Sequence, residues 1–163
     1  MLEKKIINIA VHGVGTIGKR HLMAMNENQN VNLSGIIDIS DEAKQFCDNK
    51  NIPIYENLID LRKKSEINGV IISTPTIFHY ENTLAALELG LDVLIEKPIS
   101  ADVSEARTIA KVAEENNCKV LVGHQRRFYP LVRKAKEIVK NGEIGKIIGL
   151  SGVWALRKDN DYF

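Results

Sequence analysis

Short apolar, β-branched runs alternate along this chain with longer stretches whose apolar positions recur at helical spacing. The runs KIINIAV (5–11), VNLSGIID (31–38), IPIY (52–55), GVIIST (69–74), DVLIE (92–96) and KVLVG (119–123) predict six strands. Between them, 16–28, 40–50, 57–65, 77–90 and 102–117 predict helices, with Ser40 or Asp41 as the N-cap of the second and Gly90 closing the fourth. Strands so apolar are covered on both faces, which implies a parallel sheet between two layers of helices. Right-handed crossovers then give a doubly wound α/β sheet. An eight-stranded barrel would need about 250 residues, and the chain has 163.

The pattern changes after Gly123. Residues 127–145 read as a helix with a glycine stop, and KIIGLSGVWALRK (146–158) as a long strand. Two regions are therefore expected, 1–123 as the sheet domain and 124–163 as the opening helix and strand of an incomplete second domain. A strand without a partner leaves an edge, and Val153, Trp154 and Leu156 would expose apolar area on it. That segment is expected to pair with another copy or to lack order.

Composition narrows the class. Hydrophobic residues make up 44% and charged residues 26%, so the chain is globular rather than disordered. A net charge of +1 argues against a nucleic-acid or membrane partner. The local excess from Arg126 to Lys140, six basic residues against Glu137, suits the solvated face of a helix. Cys47 and Cys118 are isolated thiols that form neither a disulfide scaffold nor a metal motif, so no metal is expected and a reducing cytoplasm fits. The first residues do not read as a signal peptide, and no window reaches the length of a membrane span.

Chemistry enters directly after the first strand, where GVGTIG places Gly13, Gly15 and Gly18 before a helix. The first glycine permits a tight turn, the second admits a pyrophosphate to the backbone, and the third lets helix pack closely on strand. The amides of Thr16 and Ile17 open the helix, whose amino terminus attracts phosphate. Twenty residues beyond Gly18, at the tip of the second strand, Asp38 can accept both ribose hydroxyls of an adenosine and repel a 2′-phosphate. A Rossmann-type fold binding NAD rather than NADP is the expectation.

Ligands of open parallel sheets lie at the carboxyl ends of the strands. Those ends carry Ser73, Thr74 and Pro75 after the fourth strand, Glu96, Lys97 and Pro98 after the fifth, and GHQRRF after the sixth. Beside a nicotinamide, Lys97 could take a hydroxyl proton or stabilise a developing alkoxide. A free lysine, with a pKa of about 10.4, is a poor base at neutral pH, though burial can lower it. The residues leave base and charged donor both open.

GVGTIGKRH, STPTIFHYENTLAALELGLDVLIEKPIS and GHQRRFYP, in that order, resemble the glucose–fructose oxidoreductase and inositol dehydrogenase (Gfo/Idh/MocA) family, a likeness running from about Ile6 to the end. The resemblance implies that Lys97 is catalytic. It implies that Thr74, Pro75 and His79 line the nicotinamide ribose, and that Gln125 with Arg126 or Arg127 lies near cofactor or substrate. Read from the residues alone, His79 could equally be a packing histidine, and the arginines could simply tie strand to helix. The resemblance further implies an NAD-dependent dehydrogenase of a secondary alcohol on a sugar, cyclitol or similar polyol, homo-oligomeric through a second-domain sheet. Nothing in the chain matches the family's usual histidine block of that second domain, and 146–158 resembles only its opening strand, so this chain is expected to carry the cofactor-binding part and to lack full activity alone. The alternative is a dinucleotide-binding or sensing module without turnover.

Overall fold

In the computed structural model, which describes residues 6–153, 155 and 157, the chain divides into a unit ending at His124 and a unit beginning at Gln125. The first unit alternates β1 (Ile7–His12), α1 (Thr16–Asn26), β2 (Val31–Ile37), α2 (Asp41–Asp48), β3 (Ile54–Tyr55), α3 (Leu58–Lys64), β4 (Gly69–Ile72), α4 (His79–Glu88), β5 (Asp92–Ile95), α5 (Val103–Glu115) and β6 (Val120–Val122). All strand pairs are parallel, in the order β3-β2-β1-β4-β5-β6. The doubly wound sheet follows from strands apolar at successive positions, because alternate side chains face opposite layers. Ala10, Ile37, Ile72 and Ile95 pack with Leu61, Leu87 and Ile109, while Val11, Ile36 and Ile71 pack on the other face with Ala43 and Cys47.

Local chemistry sets the element ends. Ser40 caps α2 by accepting the Ala43 N–H, Asn57 caps α3 through Asp60 N–H, and Asp102 caps α5 through Ser104 N–H. Gly90, at φ 72°, takes the left-handed conformation that ends α4. Pro53 has no N–H to donate, and β3 shrinks from the expected four residues to two. The chain curls into a 3-10 turn at Thr76–Phe78 before α4 begins.

The second unit holds a 3-10 turn at Gln125–Phe128 and α6 (Pro130–Lys140), which carry the basic run. Pro130 starts the helix where a missing N–H costs nothing. Of the strand expected over 146–158, the described residues 146–153, Val153 included, carry no strand pairing. A strand has no hydrogen bonds of its own and exists only against a neighbour. Trp154 and Leu156 lie outside the described residues. Among the described residues, no helix is long and apolar enough to cross a membrane and no group of three or more potential ligand side chains could hold a metal ion. Both cysteines are free thiols.

Candidate dinucleotide site

Strand register brings the candidate residues to one edge. His12 pairs with Ile37 and Ile72, Ile72 with Ile95, and Ile95 with Val122, so these five form a row across the sheet. One residue further along each strand stand Gly13, Asp38, Ser73, Glu96 and Gly123. The sheet thus places the glycine loop, the acid and the β4 and β5 tips side by side, as expected for parallel strands of matched length.

The loop is held from two directions. Gly13 N–H donates to the Ile37 carbonyl at 2.8 Å, and Ser73 Oγ donates to the Gly13 carbonyl at 2.7 Å. Gly13 adopts φ 89°, and a Cβ there would lie 2.8 Å from the Thr74 nitrogen. A Cβ on Gly18 would collide with the Gly13 carbonyl oxygen and lie 3.0 Å from Ser73 Oγ. Gly15 differs: a Cβ there meets nothing within 4 Å. It is also the N-cap of α1 and supplies no side-chain hydrogen bond to the first-turn amides. Two glycines are therefore demanded by packing, and the third keeps a space open beside a helix amino terminus. That space, with Thr16 and Ile17 exposed at the first turn, fits a pyrophosphate.

Asp38 closes the far side. Its Oδ2 accepts the Val14 N–H at 2.8 Å, and its Oδ1 accepts the Ser40 N–H at 2.9 Å and the Ser40 hydroxyl at 2.8 Å. Burial pushes its carboxyl up, but the bonds from Val14, Ser40 and Ile39 outweigh burial and hold it below the ordinary carboxylate range. An ionised carboxylate offers about four lone-pair positions, and the Val14 and Ser40 donors take three of them, so a ribose hydroxyl would use the remaining position or replace the Ser40 hydroxyl.

His12 stands at the tip of β1, in a cleft of about 310 Å³ with Asn57 and Asn82. Burial lowers its pKa to about 4, against a smaller raising effect of the Asp38 charge. The folded chain thus resists a proton that the unfolded chain accepts near pH 6.5. Stability is full above that pH, falls as pH drops from 6.5 towards 4, and loses about 3 kcal/mol through this residue. Asp38, with its pKa also lowered, adds loss in the same direction at lower pH. Urea midpoints between pH 7 and 4.5 should fall steeply in the parent and more gently in His12→Gln. Equal slopes would remove His12 from the explanation.

The β4 and β5 tips meet in a second cluster. His21 Nε2 lies 2.9 Å from Glu96 Oε1, and since a carboxylate only accepts, the proton sits on Nε2. A Cβ on Gly123 would come within 3.0 Å of that same oxygen. Lys97 N–H donates to Glu96 Oε2 at 3.3 Å, while its side chain is exposed. His79 is 1% exposed, with Nδ1 2.8 Å from the Pro98 carbonyl and Nε2 2.8 Å from the Thr74 carbonyl. The ring sits between the two tips with each nitrogen against a backbone carbonyl, and a neutral imidazole donates to one of them. The Thr74 hydroxyl accepts from Asn82 Nδ2 at 3.2 Å, and Pro75 is exposed at the edge. Gln125 and Arg126 belong to the 3-10 turn of the second unit.

His21, Val14, Ser40 and Gly123 had not been singled out as site residues. His21 carried a signal: it lies three residues after Gly18 on α1, so it shares the helix face that packs onto the strand tips. The larger groove, about 900 Å³ beside α1 and β2, mixes Leu22, Met25, Leu33 and Phe46 with Lys19, Asn32 and Lys50 and lies away from the strand tips.

Comparison with known proteins agrees with this geometry. Residues 7–124 match the family model described as "Oxidoreductase family, NAD-binding Rossmann fold". The chain is 28% identical over 154 residues to an inositol 2-dehydrogenase of Corynebacterium glutamicum, covering 91% of this chain and 45% of that protein. The solved myo-inositol 2-dehydrogenase from Lactobacillus plantarum superposes with a TM-score of 0.81 at 34% identity, over 88% of this chain and 44% of that one. A scyllo-inositol dehydrogenase from Lactobacillus casei, solved with NAD(H) and scyllo-inositol, superposes at 0.79 with 29% identity, over 86% and 43%. The chain spans less than half the length of these relatives.

Proposed function

From the premise that this chain belongs to the Gfo/Idh/MocA oxidoreductase family, we propose that its Rossmann unit takes NAD in preference to NADP, and that the protein transfers hydride between nicotinamide and a secondary alcohol of a cyclitol, sugar or similar polyol. The observation that carries the cofactor reading is the Asp38 carboxylate, bonded to the glycine loop through Val14 and kept ionised by its donors. Gly15 and the first turn of α1 would receive the pyrophosphate, and Asp38 the adenosine ribose. NAD, when bound, supplies the hydride acceptor.

The residues of the chain then divide the remaining work. Ser73 braces the loop from the β4 tip, and Thr74 and Pro75 border the ribose nearer the reacting end. Lys97 extends from the β5 tip, where its ammonium would stabilise oxyanion charge or its amine would take the hydroxyl proton. The polyol assignment draws on the inositol dehydrogenases among the relatives. A soluble cytoplasmic homo-oligomer whose second domain completes the substrate pocket is part of the same proposal, with residues 124–163 as the start of that domain.

The discriminating test is binding of NADH and NADPH to the parent and to Asp38→Asn. Asparagine keeps an acceptor for Val14 and removes the charge. NADH should bind the parent at least tenfold more tightly than NADPH, about 1.4 kcal/mol, and the substitution should narrow that gap mainly by improving NADPH. An unchanged ratio would take cofactor selection away from Asp38.

A further inference from the structure

The exposed Lys97 sits between two neighbours that are each anchored elsewhere. On its amino side, Glu96 reaches back to α1 through His21 and rests over Gly123 at the β6 tip, contacts that span 75 and 27 positions of sequence. The Glu96 and His21 side chains retain only 18% and 21% of their exposure. On its carboxyl side, the Pro98 carbonyl lies 2.8 Å from one ring nitrogen of the fully buried His79 and the Thr74 carbonyl 2.8 Å from the other, and a neutral ring donates to one of the two, so His79 packs the β5 turn against the β4 tip. A strand end needs no such bracing to finish a sheet. Fixing the backbone on both sides of a long, flexible side chain reduces the freedom that side chain loses when it must meet a reacting atom.

We propose that Glu96, seated by His21 and housed by the missing side chain of Gly123, is a positioning residue that aims Lys97 at the nicotinamide, with His79 as the second clamp of the same turn. This inference rests on the NAD reading above and assigns Glu96 a role toward Lys97 rather than toward the cofactor. It gives Gly123 a part in seating the carboxylate: a methyl group there would lie 3.0 Å from Glu96 Oε1 and push it by a few tenths of an ångström without removing any charge.

The test uses NADH as the probe and the absorption band of its nicotinamide as the readout, recorded at saturation so that affinity does not enter. A cation held close to the ring displaces that band. The parent chain should displace it, Lys97→Met should abolish the displacement, and Glu96→Gln and Gly123→Ala should each remove at least half, with unchanged far-ultraviolet circular dichroism. Gly123→Ala retains the acid and Glu96→Gln retains the volume, so agreement between them points to the seat rather than to packing or charge alone. Loss of the displacement in Lys97→Met but in neither of the other two would overturn the positioning role and leave the NAD reading standing. A band indifferent to Lys97→Met would overturn both the role of Lys97 and the clamp that depends on it.

Discussion

Alanine at Gly15 should cut NADH affinity at least tenfold while costing the fold no more than about 1 kcal/mol, the difference between glycine and alanine as an N-cap. Its backbone, φ −62° and ψ −165°, suits any residue, and an added Cβ meets nothing in the protein. The methyl group would occupy only the space proposed for phosphate. Alanine at Gly18 should behave differently. Its Cβ runs into the Gly13 carbonyl and crowds Ser73, forcing α1 away from the loop, which should cost about 2–3 kcal/mol as an overpacked site. NADH binding should then fall together with stability. Thermal melts and NADH titrations of both variants separate the two glycines. Parent-like affinity in Gly15→Ala would mean that no ligand approaches the backbone there.

Replacing Lys97 with methionine should lower turnover of an inositol by about 10²–10⁴-fold, the usual worth of a positioned acid, base or charge, while NADH remains bound. The side chain is exposed and makes no packing contribution to the sheet, so the folded state should be indifferent to its loss. Steady-state rates with myo- and scyllo-inositol and NAD, on a form that includes the complete second domain, measure the effect. If binding and turnover both survive, Lys97 is a surface lysine. A form with the complete second domain that binds NADH and shows no Lys97-dependent chemistry with any polyol would favour the sensing module over the enzyme.

The order of elements was legible because every strand of the first unit is a short apolar run and four of its five α-helices carry a cap or stop: Ser40, Asn57, Asp102 and Gly90. Boundaries were less so, since Pro53 and the 3-10 turn at Thr76–Phe78 are decided by backbone bonding that composition does not display. Residues 146–153 carry no strand despite their apolar alternation, because alternation states a preference for strand while the ladder partner is supplied by other parts of a chain. The glycine loop and Asp38 could be found by spacing. The bond from Val14 to Asp38, the contact of His21 with Glu96 and the bridge of His79 between Thr74 and Pro98 could not, because they join positions that only the parallel register makes neighbours. His79 shows the limit: the same residue suited a ribose contact and a packing role, and burial of both ring nitrogens against carbonyls is a three-dimensional fact.

The most direct test of NAD binding at the strand tips is a ¹H–¹⁵N correlation spectrum of the chain titrated with NADH. The amides of Gly13–Gly18, Asp38–Ser40, Ser73–Thr74 and Glu96–Lys97 should shift together along one binding curve. Shifts confined to the groove of Leu22, Leu33 and Phe46, or none at all, would contradict it.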